Sequence, residues 1–294
     1  MDRGSALLGL RDEECAMYSL STANDAWLDL IEDISLRGND VAPRGLPCRE
    51  LLAHTTHVRM DSPVVTVKAR KLGRRFMVAE AWWICTGRND VASIAPYSKE
   101  ISKFSDDGRR FSGAYGPKVV DQLRYVCDAL VEDNDTRQAV MAIWRENPRH
   151  SKDVPCTISC QFLIRKIGGR RYLECVDVMR SSDAWLGICY DWMNFSTLSA
   201  LVLLTIKERD PLLVDVQLGG LSLFAGSEHL YESNLAQVKS ILSSRGCEAK
   251  DLYEPLNLDE FSSPEDFVHC LEMLKDRRDS GHAWLRELLL ENKT

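Results

Sequence analysis

The sequence RSSDAWLGICYD, residues 180–191, carries most of the information about the fold of this 294-residue chain. It follows two runs rich in apolar and β-branched residues, 156–167 and 171–179, which are joined by Gly168–Gly169. A Gly-Gly pair between such runs is a strong hairpin signal. The segment 180–191 therefore begins where the second strand of a predicted hairpin ends.

Pro155–Cys156 opens the first strand of this hairpin, and Cys156 is the candidate nucleophile. Nearby cations lower the pKa of a thiol and increase the fraction of reactive thiolate. A buried, unreactive cysteine at the start of a strand accounts for the same position, and position alone favours that interpretation. The basic residues that precede it are Arg145, Arg149, His150 and Lys152.

The rest of the chain predicts an α+β fold in one domain, residues 1–294. A turn-rich passage at 39–50 ends in a short strand-like stretch. Because helices and strands do not alternate regularly, we expect helices covering a large, mostly antiparallel or mixed sheet. Apolar spacing predicts helices over 24–37, 75–85, 118–131, 195–207, 232–245 and 264–277, and further strands over 63–69, 138–144 and 213–218.

The composition is that of an ordinary folded protein, with 45% hydrophobic and 28% charged residues. A net charge of −7 argues against a broad nucleic-acid interface, where a basic face is expected. The first residues lack the basic-then-apolar order of a secretory signal. The longest apolar stretch, 198–206, is shorter than the ~20 residues of a membrane span. We expect a cytoplasmic protein that binds neither nucleic acid nor membrane.

The ten cysteines are expected to be reduced thiols, and most of them to be buried apolar residues. Cys156 and Cys160 are the closest pair, and no second pair stands at zinc-ligand spacing. The sequence therefore predicts no metal site.

Further motifs occur in a fixed order around the segment 180–191 and Pro155–Cys156. They are Arg44 in PRG, Glu80 in VAEAWW, GAYG at 113–116, DTR at 135–137 and EHLY at 228–231. Together these motifs resemble the thymidylate synthase superfamily over roughly residues 26–234, and the resemblance implies that family's fold.

The resemblance also implies roles in catalysis. Cys156 would add to C6 of a pyrimidine monophosphate, which makes C5 nucleophilic enough to accept a one-carbon unit. Tyr115 and Glu80 would move protons at C5 and order water. Asp183 would hold the pterin of a 5,10-methylenetetrahydrofolate co-substrate, with Glu80 beside it.

Substrate binding follows from the same resemblance. The enzyme would be a homodimer whose sheets pack back to back, so that each active site draws on both subunits. Guanidinium groups match the oxygens of a phosphate. From one subunit Arg44, Arg180 and Ser181 would bind the phosphate, Arg137 would reach in from the other subunit, and His229 and Tyr231 would bind the sugar.

Asp191 is the informative departure from the family pattern. Thymidylate synthases have asparagine here, whose amide pairs with N3–H and O4 of uracil. Cytosine presents the opposite edge, and a carboxylate accepts from its N4 amine. An aspartate at this position resembles the pattern of the cytidylate hydroxymethylase branch of the superfamily, in which water captures the one-carbon unit. We therefore expect a CMP or dCMP 5-hydroxymethyltransferase that uses Asp191 both to bind the base and in catalysis.

Other departures leave alternatives open. Gln138, Thr157 and Cys189 replace usual family residues, and the C-terminal sequence LRELLLENKT lacks the small apolar tail that closes thymidylate synthases. A more open site is consistent with admission of water. The alternatives are a thymidylate synthase or uridylate hydroxymethylase, and an inactive homologue that binds nucleotide or RNA. The choice between CMP and dCMP, and with it the pathway, stays open.

Overall fold

One mixed sheet of seven strands organises the part of the chain that the structure describes, residues 20–145 and 150–291 of a computed structural model. The strands are β1 (Asn39–Val41), β2 (Cys48–Arg59), β3 (Val140–Ala142), β4 (Thr157–Ile167), β5 (Arg170–Met179), β6 (Ser182–Asp183) and β7 (Gln217–Tyr231). Their order is β1-β2-β7-β5-β4-β3, with β6 also paired to β7. The β5–β7 and β6–β7 pairs are parallel and the others antiparallel.

Helices accompany the sheet and supply much of the core. They are α1 (Ala23–Arg37), α2 (Arg74–Cys85), α3 (Val91–Ile94), α4 (Gly116–Glu132), α5 (Ile188–Arg209), α6 (Leu235–Leu242) and α7 (Pro264–Lys275). Helix α1 packs on β2, and α2 packs against both α5 and α7. The fold is therefore α+β with a mixed sheet covered by helices, as the sequence predicts.

Helix α5 is the crossover between the parallel strands β5 and β7. It is apolar on nearly all sides, and its residues 192–204 are all buried, which is typical of a helix inside a core. A parallel pair requires such a crossover connection. The connection places the segment 180–191 at the end of β5, so that Asp191 lies in the first turn of α5.

Several predicted elements are confirmed and others are wrong. The hairpin joining β4 and β5 is confirmed, but residues 63–69 form no strand. There the side chain of Asn24 accepts hydrogen bonds from the backbone N–H groups of Thr66 and Val67, at 2.7 and 3.2 Å. These donors are consequently not free to pair with another strand.

The region after residue 187 also differs from the prediction. Helix α5 begins at Ile188, seven residues earlier than expected, and the predicted strand at 213–218 is instead a 3₁₀ turn, Pro211–Leu213, followed by β7 from Gln217. Pro211 begins the turn, and the Asp210 side chain caps it by accepting from the Leu212 N–H at 2.9 Å. The long strands β2 and β7 were not predicted at their full length.

Nine of the ten cysteines lie in the described residues, and all nine are free thiols. Seven are buried, Cys156 is half-buried and Cys247 is exposed, which confirms that most pack as apolar residues; Cys15 lies outside the described residues. No helix within residues 20–145 and 150–291 is long and apolar enough to cross a membrane. The single domain and the cytoplasmic location stay predictions.

Candidate active site

A cavity of about 1490 Å³ opens at one end of the sheet, where β5, β7 and the first turn of α5 meet. Ten of the eleven predicted site residues line it, although they are spread over almost 190 positions of the sequence. The fold thus brings together side chains that were selected from motifs alone. The ten are Arg44, Glu80, Tyr115, Cys156, Arg180, Ser181, Asp183, Asp191, His229 and Tyr231.

Cys156 and Arg180 contact each other through both their main chains and their side chains. The Arg180 N–H donates to the Cys156 carbonyl at 2.8 Å. The Arg180 guanidinium donates to the carbonyls of Pro155 and Val154 at 2.9 and 3.1 Å, and its Nη2 lies 3.5 Å from Cys156 Sγ. The Ser181 hydroxyl contacts the same sulfur at 3.8 Å. The thiol therefore has a cation and a hydroxyl within reach.

The protonation of Cys156 reflects two opposing effects. Burial raises the pKa of the thiol, whereas the Arg180 guanidinium lowers it and the Asp191 carboxylate raises it further. The net pKa lies above the ordinary value. A second positive charge or the loss of a neighbouring negative charge would shift this balance towards the reactive thiolate.

Tyr115 lies at the start of α4, and its side chain reaches the backbone where β4 begins. Its hydroxyl oxygen accepts from the N–H groups of Cys156 and Thr157, at 3.3 and 3.2 Å. Burial, together with the charges of Cys156 and Asp191, raises the pKa of this phenol well above its ordinary value. Because both main-chain contacts use the oxygen as acceptor, the phenolic hydrogen stays available to donate.

Glu80 projects from α2 to the facing helix α5, where Asn194 Nδ2 donates to its Oε2 at 2.8 Å. Burial raises the pKa of Glu80 to about 7, Asn194 opposes the rise and Asp191 adds to it. A carboxyl group with a pKa near neutrality can both accept and return a proton under ordinary conditions. Sequence analysis did not single out Asn194, because a lone asparagine within an apolar helix carries no motif.

Asp191 lies one helical turn before Asn194, and both line the cavity. Burial raises the pKa of Asp191 to about 7, and the negative charge of Asp183 contributes to the rise. Within the described residues, its carboxylate makes no hydrogen bond or ion pair to another side chain. Asp191 is consequently free to pair with a ligand in the cavity.

Asp183 follows β5 in the short strand β6 and orders the next turn. Its Oδ1 accepts from the N–H groups of Trp185 and Leu186, both at 2.8 Å. The paired strand β7 carries His229 as the register partner of Asp183. Tyr231 lies two residues later on the same face, with its ring centroid 5.2 Å from that of His229. These two rings form one wall of the cavity.

Arg44 occupies a tight 3₁₀ turn, Pro43–Gly45, between β1 and β2. Its φ of 56° lies in the left-handed region, which side chains other than glycine adopt at a cost. Gly45 follows with φ of 77°. The turn exposes the Arg44 side chain at the cavity rim, where its guanidinium meets no acidic partner among the described residues.

An aromatic wall lines the cavity on the side of α2. Phe76 and Tyr190 meet edge to face with ring centroids 5.2 Å apart, and Trp83 and Phe111 meet in the same way at 5.6 Å. Leu186, 60% exposed, projects beside them. Such a surface suits a flat, partly apolar ring system. The sequence does not mark these residues as part of a site, because aromatic residues at helical spacing are indistinguishable from core residues.

The remaining residues singled out from the sequence lie partly inside and partly outside the cavity. Arg137 is exposed and does not line this chain's cavity; its carbonyl accepts from Gln161 Nε2 at 2.8 Å. Of the basic residues before Cys156, Lys152 lines the cavity and Arg149 lies outside the described residues. Residues 285–289 do not line the cavity. Within the described residues, no group of three or more potential metal ligands is found.

The departures from the family pattern lie at three kinds of position. Gln138 is exposed, and its carbonyl accepts a hydrogen bond from the Tyr125 hydroxyl at 3.1 Å. Thr157 is buried, and its hydroxyl has no hydrogen-bond partner among the described residues. Cys189 is buried in the core.

Comparisons with known proteins agree with this geometry. The thymidylate synthase family profile matches residues 25–267. The chain is 31% identical to a deoxyuridylate hydroxymethyltransferase of Bacillus phage SP01 over 172 residues, which cover 50% of this chain and 44% of the relative. It is 29% identical to a deoxyuridylate hydroxymethyltransferase of Pseudomonas phage M6 over 245 residues, which cover 77% of this chain and 66% of the relative. The chain therefore aligns with less than two thirds of each relative.

Proposed function

The chain belongs to the thymidylate synthase family, and on that premise we propose that it is a folate-dependent nucleotide hydroxymethyltransferase. It adds a one-carbon unit to C5 of a pyrimidine nucleoside monophosphate, and water completes the hydroxymethyl group. The observation that carries the proposal is one cavity in which the thiol of Cys156, bound by Arg180, faces Glu80 and Asp191. The two relatives named above are hydroxymethyltransferases, which supports the same reaction type.

Cys156 supplies the nucleophile. Its sulfur adds to C6 of the pyrimidine, and the electron pair of the C5–C6 double bond moves towards C4, so that C5 becomes nucleophilic. Arg180 stabilises the thiolate from 3.5 Å. Tyr115, whose hydroxyl hydrogen is available, and Glu80, whose pKa is about 7, transfer protons in the later steps.

The phosphate and the sugar of the nucleotide are bound by separate groups of residues. Arg44 and Arg180 converge on the phosphate with the Ser181 hydroxyl, since guanidinium groups and hydroxyls satisfy phosphate oxygens with several hydrogen bonds. His229 and Tyr231 lie on the adjacent strand and take the sugar hydroxyl. These assignments rest on the motifs and on the shared cavity.

The cavity suits the co-substrate 5,10-methylenetetrahydrofolate. When bound, the folate supplies a one-carbon unit at the oxidation level of formaldehyde. The aromatic wall of Phe76, Trp83 and Tyr190 would pack against its rings, and Asp183 at the rim of the same cavity would accept from its pterin. The volume of about 1490 Å³ exceeds what a nucleotide alone requires, and drug-sized sites commonly measure about 300–1,000 Å³.

Asp191 favours cytidylate as the substrate. A carboxylate accepts from the N4 amine of cytosine, and one proton shared between the acid and cytosine N3 completes the second contact. Burial raises the pKa of Asp191 to about 7, so the carboxyl can hold that proton near neutral pH. An asparagine in the same place would be fitted to uracil, and a mismatched edge leaves buried polar groups unpaired.

Deoxyuridylate is the second candidate, and the printed activity of both relatives favours it. A neutral carboxylic acid has one donor and one acceptor, the same pattern as an amide. In that form Asp191 would donate to O4 of uracil and accept from N3–H. Both bases therefore fit beside Asp191, and the position of the Asp191 proton distinguishes the pairing with cytosine from the pairing with uracil.

A homodimer is part of the proposal. On the sheet face opposite to buried Asp177 lie Val176, Val178 and Phe224, which are only half-buried. Val178 and Phe224 are register partners, so they form one continuous apolar strip. A second sheet packed on this strip would bury it, and Arg137 would then supply a phosphate contact to the neighbouring site.

A product assay tests the function. The protein is incubated with methylenetetrahydrofolate and, separately, with CMP, dCMP and dUMP. We expect a cytidylate to gain CH₂O by mass spectrometry without formation of dihydrofolate. Dihydrofolate together with a methylated product would contradict hydroxymethylation and indicate a thymidylate synthase. Turnover of dUMP alone would select the second candidate, and nucleotide binding without turnover would indicate an inactive homologue.

A further inference from the structure

Asn194 is a buried polar residue in the middle of an apolar helix, beside the reacting groups. It is 4% exposed, lines the cavity and follows Asp191 by one turn of α5. Residues three apart lie on the same face of a helix. Asn194 therefore lies next to the place where Asp191 would meet the base, and it faces Glu80 of α2 directly.

Only one half of the Asn194 amide is satisfied. Its Nδ2 donates to Glu80 Oε2 at 2.8 Å, whereas its Oδ1 is buried and has no hydrogen-bond partner in the described part of the chain. A buried acceptor without a partner loses its hydrogen bond to water and gains nothing in return, so such atoms usually serve a ligand or an ordered water. The orphaned oxygen belongs to a cavity-lining residue, which indicates a small donor bound there.

We propose that Asn194 binds the water molecule that becomes the hydroxyl of the product. Its Oδ1 accepts one hydrogen of this water, while its Nδ2 holds the Glu80 carboxylate in position to accept the other. This inference rests on the proposed function, because it assigns a residue to the water-capture step of that reaction.

The step is balanced without an oxidant or a reductant. The pyrimidine carries an exocyclic methylene at C5 and the Cys156 sulfur at C6. The water oxygen bonds to the methylene carbon as Glu80 takes a proton, and the electron pair of the exocyclic double bond moves onto C5 and C4. That pair then re-forms the C5–C6 double bond and expels the Cys156 thiolate. The nucleotide gains a hydroxymethyl group, and Glu80 keeps the proton of the water.

A second donor for the same oxygen would be the amine of cytosine. Two features favour water. Asp191 already offers an unpaired acceptor to the base amine, and the amide of Asn194 is fixed to Glu80, the candidate proton acceptor. Water lying between Oδ1 and Glu80 would contact both, whereas a base amine donating to Oδ1 supplies no oxygen for the product. The test separates these two donors.

The experiment measures two steps of the reaction in the variant Asn194→Leu. Leucine has a similar volume but can make neither the hydrogen bond to Glu80 nor the proposed one from water. Tritium released from C5 reports formation of the methylene, and 5-hydroxymethyl nucleotide reports capture by water. Added 2-mercaptoethanol competes with water and forms a stable thioether. We expect tritium release within about threefold of wild type, and a ratio of hydroxymethyl product to thioether that falls by roughly tenfold or more, in line with the ~10²–10⁴-fold contributions of positioned bases.

Two variants serve as controls. Ser199→Ala removes a buried hydroxyl from the same helix, one that donates to the Phe195 carbonyl at 2.7 Å, and should leave the product ratio unchanged. Asn194→Ser restores one acceptor and should recover part of the ratio, even if Asn194→Leu folds poorly. The dissociation constant for the nucleotide, measured by calorimetry without folate, should stay within about threefold of wild type in both Asn194 variants, because water capture follows nucleotide binding.

Each outcome decides the proposal. An unchanged ratio in Asn194→Leu, or a large loss of nucleotide affinity with an unchanged ratio, would overturn the water site; the latter would assign Asn194 to the base. If wild-type protein forms no hydroxymethyl product from any pyrimidine nucleotide, the proposed function fails first and the water site with it. A normal wild-type reaction with an unchanged ratio in the variant rejects the water site alone.

Discussion

The Nη2 atom of Arg180 lies 3.5 Å from Cys156 Sγ, while the main-chain N–H of Arg180 donates to the Cys156 carbonyl at 2.8 Å. The two residues stand 24 positions apart, and the β4–β5 hairpin brings them together. The same guanidinium also donates to the carbonyls of Pro155 and Val154. Arg180 thus fixes the backbone just before β4 and also supplies the positive charge beside the thiol.

Replacing Arg180 by glutamine should make Cys156 less reactive. The guanidinium lowers the pKa of this thiol against the effect of burial, so its loss raises the pKa and reduces the thiolate fraction at pH 8, by about tenfold for each pKa unit. The measurement is the rate of iodoacetamide labelling of Cys156, followed by peptide mass spectrometry. Arg165→Gln, outside the cavity, is the matched control and should label at the wild-type rate. Equal labelling rates in Arg180→Gln and wild type would contradict the assignment.

Asp191→Asn should move the base preference from cytosine towards uracil. The amide has a fixed donor and acceptor, which suit O4 and N3–H, whereas a site fitted to one edge discriminates by ~10⁴–10⁵-fold against an unpaired one. We expect the ratio of kcat/KM for dCMP over that for dUMP to fall by about 10²-fold or more, with part of the discrimination retained by shape. A ratio unchanged by the substitution would show that Asp191 does not select the base.

Folding stability should decrease as pH rises from about 5 to 8, because of buried acids near the site. Burial raises the pKa of Glu228, which has no exposed surface, from 4.5 to about 8. Between these values the folded chain keeps a proton that the unfolded chain releases, so the free energy of unfolding falls with rising pH. Glu80 and Asp191, each with a pKa of about 7, act in the same direction.

Glu228→Gln tests this directly. Glutamine needs no proton, so the stability advantage of the variant over wild type should grow between pH 5 and pH 8, by about 1.4 kcal/mol for each unit of pKa difference removed. Urea unfolding at both pH values measures it, and Glu132→Gln, at an exposed position, is the control. If the difference between Glu228→Gln and wild type is the same at both pH values, Glu228 is ionised in the folded protein.

The hairpin and the site motifs could be predicted because each depends on neighbouring residues. Gly168–Gly169 defines its own turn, and the segment 180–191 carries its spacing within itself. The strands β2 and β7 could not be delimited in the same way. Their pairing joins Cys48 to Tyr231 across more than 180 residues, and such long-range registers leave little local signal.

Within the site, sequence analysis found residues of distinctive chemistry and missed those whose role depends on packing. Asn194 gains its significance from the facing Glu80 on another helix, which no local pattern reveals. The aromatic wall carries no local signal of a site for the same reason. The strand predicted at 63–69 failed because Asn24, about 40 residues earlier, occupies the backbone donors that a neighbouring strand would need.

Mixing two inactive variants should restore activity if the site is shared between subunits. Cys156→Ala lacks the proposed nucleophile, and Arg137→Ala lacks the phosphate contact expected from the neighbouring chain. A mixed dimer contains one site with both residues intact, so random exchange should recover about one quarter of wild-type activity. Each variant refolded alone is the control. No recovery in a mixture shown to contain mixed dimers would place Arg137 outside the neighbouring site.

In the proposed reaction water captures the one-carbon unit on the nucleotide, so the new hydroxyl oxygen of the product must come from water. The reaction is run with dCMP, CMP or dUMP and methylenetetrahydrofolate in water enriched in heavy oxygen, and the nucleotide is analysed by mass spectrometry. We predict a 5-hydroxymethyl nucleotide whose new hydroxyl carries the heavy isotope, with no dihydrofolate formed. A 5-methyl product accompanied by dihydrofolate would contradict capture by water and show that the folate reduces the one-carbon unit.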